Sequence, residues 1–190
     1  MKRKQITARL IVPMSLLVVS VVLAAPDRFT VKSPNGIAFS EFKGYDGWPV
    51  IAPSLTDEAA GCMKAPCIKA IVGNAAMIKA FKDGIPGNGK PFPDGVMMAK
   101  IEWEKVNNTA SPYAVLVPGK QNDVSFMIKD MKRFPDTDGW GYAQFRLDPA
   151  TGVWKAFGDG PKFAKASCHQ CHVSGATKAR DFVYTAYAPR

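Results

Sequence analysis

Histidine is almost missing from this 190-residue chain: there are two, His169 and His172, both near the C-terminus. Imidazoles drawn from distant parts of the chain therefore cannot flank a metal on opposite sides. Long apolar runs are also scarce. The run from Leu10 to Leu23 falls short of the ~20 residues that a bilayer-spanning helix needs. Charge of one sign is not blocked together either. Four of the positive charges in the formal +9 (Lys2, Arg3, Lys4 and Arg9) precede the apolar run, and the +5 beyond them is scattered. Nothing there would track a phosphate backbone, so nucleic acid is excluded as a partner. No internal repeat is present, and 16 Gly with 15 Pro argue against a bundle of long helices.

What is there begins with an export signal. The basic start, the short apolar run and the closing Ala24-Ala25-Pro26 have the order of a secretory leader. Cleavage after Ala24 places Val22 and Ala24 at the −3 and −1 positions, whereas cleavage after Ala25 would put Pro26 at the scissile bond. Residues 1–24 are thus a signal peptide, with an uncleaved membrane anchor as the alternative, and the expected location is the periplasm. Residues 25–190 then form a single domain, and 47% apolar residues suffice for a core.

Along that domain, Ser40 to Lys43 reads as a helical turn closed by Gly44. Thr56-Asp57-Glu58 reads as a helix start and Ile68 to Val72 as a strand. Asn74 is a natural N-cap for a short helix through Phe81, and Asp83 to Asp94 is a Gly/Pro-rich loop. From Val96 to Val106 apolar residues at odd positions alternate with Lys100, Glu102 and Glu104, the period of a half-buried strand. Tyr113 to Val117 is a short run ending at Pro118-Gly119, and Val124 to Met131 alternates again. Pro135 to Gly139 forms a turn, Trp140 to Leu147 a strand, and Pro149-Ala150-Thr151-Gly152 a hairpin turn. Gly158 to Ala166 leads into the next motif on a helical turn, and Asp181 to Tyr187 reads as a closing aromatic strand. The class is α+β: an antiparallel β-sheet with a few short helices.

Cys168-His169-Gln170-Cys171-His172 is C-x-x-C-H, the attachment motif for haem c. Two thiols three positions apart share one face of a helical turn and can reach two vinyl groups of a porphyrin. The next residue then sets an imidazole beneath the iron. An exported chain suits this chemistry, because haem c is assembled after export. A structural disulfide, a thioredoxin-like redox pair and a zinc site compete, although zinc needs four ligands and no further His exists. The expectation is one covalent haem c near the C-terminus, held by Cys168 and Cys171, with His172 as the iron ligand. His169 sits beside the attachment point and cannot reach the far side of the iron. The sixth position is open, or taken by a Lys or by one of Met63, Met77, Met97, Met98, Met127 and Met131. Cys62 and Cys67 remain, and in an oxidising compartment a local disulfide is expected between them.

Trp48-Pro49-Val50, then Phe92-Pro93-Asp94-Gly95 before the strand at Val96, Gly139-Trp140-Gly141-Tyr142, the late C-x-x-C-H and Asp181-Phe182-Val183-Tyr184 follow in an order that resembles the cytochrome P-460 family. That family includes the cytochromes c′-beta, and the likeness spans residues 35–188. It implies a mostly β homodimer with a five-coordinate haem c that oxidises hydroxylamine or binds small gases such as nitric oxide. In the hydroxylamine oxidisers a lysine after an Asp-Gly turn is covalently linked to the porphyrin edge, and Lys100 looks like its match. A solvated strand lysine paired with Glu102 is the plainer reading. Those enzymes also carry a distal carboxylate in the strand that matches Val124 to Ile128, where this chain has none, although Asp123 lies just before. Phe126 is the expected occupant of the pocket, resembling the aromatic caps of the c′-beta members, with core packing as the alternative.

Three functions follow. The first is a gas-binding protein handling nitric oxide in an apolar pocket. The second is a hydroxylamine-oxidising enzyme with Lys100 cross-linked. The third is an electron-transfer cytochrome with Met ligation, served by a redox partner protein.

Overall fold

The computed structural model describes residues 27–56 and 67–187. The leader, the helix start expected at Asp57 and the residue Cys62 lie outside them. One six-stranded antiparallel sheet organises the chain, its strands side by side in sequence order. These are β1 (Val50–Thr56), β2 (Cys67–Gly73), β3 (Met97–Asn107), β4 (Leu116–Lys129), β5 (Trp140–Leu147) and β6 (Trp154–Phe157). Helix α1 (Ala75–Lys82) follows β2, and α2 (Gln170–Ala176) continues a wide helical turn over Ala164–His169. The α+β expectation is met.

Each element has a local cause. The Asn74 side chain accepts from Met77 N at 2.9 Å and so caps α1, as the sequence suggests. Gly95, at φ +88°, makes the turn that launches β3. The β5–β6 hairpin turns at 149–152, where expected, and residues Phe39–Phe42 form a 3₁₀ turn followed by Gly44 in the left-handed region.

Some expectations are corrected. β1 was not anticipated, because Pro53 interrupts its pattern; it is an edge strand, the place where a sheet tolerates proline. Pro118-Gly119 does not end a run but lies within β4, next to an irregularity in the pairing with β3. Asp181 to Tyr187 is not a strand. Asp181 and Phe182 have φ of +44° and +60°, which turns the tail instead of extending it along the sheet.

The two faces of the sheet differ in what covers them. On one, Ala99, Phe126 and Ala143 stand in register, as do Ile101, Val124 and Phe145. These residues pack against Phe39, Phe42 and Tyr45 of the N-terminal turns, in a buried core. Phe126 stacks on Phe42 with centroids 4.0 Å apart and meets Phe39 and Tyr45 edge-on. The other face looks toward α2 and the tail.

Candidate functional site

Between that second face and α2 lies a cavity of about 890 Å³. Register builds its floor. Ile71, Lys100, Ser125 and Gln144 form one row across β2 to β5. Lys69, Glu102, Asp123 and Arg146 form the next, and Met98, Met127 and Tyr142 the third. Side chains alternate along strands, so Met98 and Lys100 of β3 point into this space and Glu102 lies beside them on the same side. Glu102 is 2% exposed and Asp123 fully buried, so the half-buried reading of β3 is corrected as far as Glu102, while Glu104 beyond it is exposed, as expected, and so is Val106.

The charged row follows the order cation, carboxylate, carboxylate, cation. Lys100 Nζ lies 2.6 Å from Glu102 Oε1, and Lys69 Nζ approaches the same oxygen at 3.9 Å. Lys100 is thus paired with Glu102, as the plainer reading had it, but inside the cavity wall and not on an open surface. Asp123 accepts from Gln144 Nε2 at 2.9 Å through Oδ2, while its Oδ1 has no hydrogen-bond partner among the described residues. Burial weakens the Asp123 acid most, the facing Glu102 carboxylate adds to this, and its pKa is pushed up to about 6. Burial also lowers the affinity of Lys69 for its proton.

The opposite wall is the cysteine motif. The thiols of Cys168 and Cys171 are free and both line the cavity with His172. His172 Nδ1–H donates to the Phe182 carbonyl at 2.7 Å, which leaves Nε2 without a hydrogen bond among the described residues. Burial depresses its pKa, which keeps the ring neutral. The tail can lie this close because of Gly175: a methyl there would collide with Tyr184. The Tyr184 hydroxyl in turn donates to the Cys171 carbonyl at 2.7 Å.

His169 points away from this wall, as expected of the other motif histidine. Its Nε2 lies 3.3 Å from Asp138 Oδ2 and its Nδ1 3.1 Å from the Tyr142 hydroxyl. Cys67 is disulfide-bonded, in agreement with the expected local bridge, whose other expected member, Cys62, lies outside the described residues.

The structure therefore brings together six of the residues singled out in sequence: Lys100, Cys168, Cys171 and His172, with Met98 and Met127 of the methionines considered as ligands. Phe126 is the exception. It touches the cavity from below, but its ring is locked in the aromatic stack on the other face, so it is a core residue and not a distal cap. Lys69 and Arg146 carry no signal in the sequence, Glu102 reads there only as the partner of Lys100 and Tyr142 only as part of Gly139-Trp140-Gly141-Tyr142, and Asp123 lies one position before the stretch Val124 to Ile128. Only strand register could have gathered them.

A cavity within the ~300–1,000 Å³ range of cofactor sites, with two free thiols and a neutral imidazole whose Nε2 is unspent, fits a haem and defines a haem-binding cytochrome. The family model for Cytochrome P460 matches residues 42–185, and the chain belongs to that family. No curated protein matches the sequence.

Proposed function

We propose that this is an exported cytochrome with one covalent haem c that oxidises hydroxylamine or a closely related small nitrogen compound. The observation that carries the reading is Asp123: a buried carboxylate on the cavity floor with one oxygen free and an acidity near neutral. The case for a nitric-oxide binder began from an apolar pocket lacking such a group. A wall of Lys69, Lys100, Asp123 and Arg146, with Glu102 buried behind the two lysines, suits a ligand that must shed protons.

Cys168 and Cys171 would hold the haem through thioethers and His172 Nε2 would bind its iron. The bound haem supplies an iron that takes up the nitrogen ligand and accepts electrons. Asp123 Oδ1 accepts a proton from the ligand, and Gln144, bonded to Oδ2, aims it. Lys100, oriented by Glu102, is the residue we assign to the link with the porphyrin edge that the family resemblance implies. Export to the periplasm rests on the leader, and homodimer formation on the resemblance.

The test mixes purified holoprotein with hydroxylamine and a small-molecule electron acceptor. Acceptor reduction that scales with hydroxylamine is expected. No reduction, with nitric oxide still binding the ferrous protein, would return the reading to a gas binder. The ferrous Soret band should lie far to the red of an ordinary haem c and lose that displacement in Lys100→Ala. An unchanged band in that variant would sink the cross-link. A low-spin spectrum with a Met–iron charge-transfer band would instead identify Met98 or Met127, both on the cavity wall, as a ligand.

A further inference from the structure

Lys129 and Asp181 form a buried ion pair that the proposed chemistry does not use. Lys129 is 3% exposed and Asp181 7%. The ammonium reaches both carboxylate oxygens, at 2.9 and 3.0 Å, and the Asp138 carbonyl at 2.8 Å. It also lies 4.9 Å from the centre of the Trp140 ring. Asp181 Oδ2 accepts from Phe92 N at 2.8 Å as well. Every donor of the lysine is thereby placed, and one carboxylate ties together the end of β4, the loop before β3 and the tail.

Such a pair is weak grounds for stability alone, since the cost of desolvating both charges offsets their attraction. Its position suggests another role. Asp181 and Phe182 both occupy the left-handed region, which disfavours residues with a side chain. That strained double turn persists only if its surroundings hold it. Its product is the direction of the Phe182 carbonyl, which receives the Nδ1–H of His172 at 2.7 Å. The Phe182 ring, buried edge-on at 5.1 Å from His169, secures the same segment from its other side.

We infer that the Lys129–Asp181 pair is a positioning device for His172, holding the Phe182 carbonyl on Nδ1 so that Nε2 faces the iron with fixed orientation and donor strength. A partner of this kind sets the ring's tautomer and makes the imidazole a stronger donor. The inference rests on His172 being the iron ligand, as proposed above.

The experiment is resonance Raman spectroscopy and potentiometry on holoprotein. The variants are Lys129→Met and the double variant Lys129→Met/Asp181→Asn. The double variant leaves no unpaired charge, keeps an acceptor for Phe92 N and places Asn where a left-handed residue is needed. If Lys129→Met alone fails to fold, the double variant carries the test. The iron–histidine stretching band of the ferrous protein should broaden and move to lower frequency, and the reduction potential should rise. Phe145→Leu, which loosens the opposite face, should shift neither. A double variant with the wild-type band and potential, or an equal shift in Phe145→Leu, overturns the inference. Absence of any iron–histidine band in the wild type would instead sink ligation by His172, a separable failure.

Discussion

The two faces of this sheet are made of the same six strands and do opposite things. One carries Ala99, Phe126, Val124 and Phe145 into a stack of rings with no charged member. The other carries Lys69, Lys100, Asp123 and Arg146 against a wall of thiols and imidazole, with Glu102 paired to the lysines. Apolar area leaves water on both sides, since Ile71, Met98, Trp140 and Tyr142 join a second buried cluster beside the cavity. The second face accepts buried charge, which weakens a fold, and holds it in position for chemistry. The contrast shows that the charged alternate residues of β3 and β4 mark a site and not a solvent face.

That contrast can be broken by substitution. The largest expected effect is that of Asp123→Asn, which should lower hydroxylamine-dependent acceptor reduction by about 10²–10⁴-fold while haem stays attached. Activity within a factor of two of wild type would remove Asp123 from the reaction. Next, Phe126→Ala should cost about 3–5 kcal/mol in denaturant unfolding and leave the nitric oxide association rate nearly unchanged. A faster association with little loss of stability would restore Phe126 as a cap on the iron.

The pH dependence sharpens the same contrast. Asp123 has a folded pKa of about 6 against 3.8 for the free side chain, so the folded state holds the proton more tightly than the unfolded one. Its contribution to stability is therefore best below about pH 4, declines as the pH rises to about 6, and is flat above. The loss is at most about 3 kcal/mol. Asp123→Asn should abolish that slope in unfolding measured between those limits, and an unaltered slope would mean that another group titrates there. The turnover rate should rise over the same window, as the carboxylate becomes able to take a proton. The smallest effect is expected for Asn74→Ala, which removes the α1 cap from neither face of the sheet. It should cost about 1 kcal/mol with turnover unchanged.

Much of this is legible in the sequence. The haem motif declares itself because its chemistry demands a fixed local spacing. Asn74 and the 149–152 hairpin declare themselves because caps and turns depend on neighbours in the chain. β5 is read correctly, with Trp140 and Leu147 as its ends. What escaped depends on contacts distant in sequence. Glu102 and Lys100 look solvated until β2 and β4 flank them, Lys69 joins Lys100 on the Glu102 carboxylate, and α2 faces Lys100 across the cavity. Asp123 faces Glu102 across a register that shifts just beyond it, between Glu102 and Trp103, so a count along one strand misses it. The tail reads as a strand from its aromatic residues, but buried Asp181 and its lysine turn it. Phe126 suits either face by composition, and only the rings of the N-terminal turns decide between them.

The charged row has a consequence for how relatives can diverge. Its members hang from neighbouring strands whose spacing is set by backbone ladders. A substitution in the row alters the electric field over the cofactor without asking the scaffold to repack. One framework can therefore exchange catalysis for simple ligand capture through a handful of replacements, made in concert because Lys69 and Lys100 share one Glu102 oxygen and a lost partner leaves a buried charge unpaired.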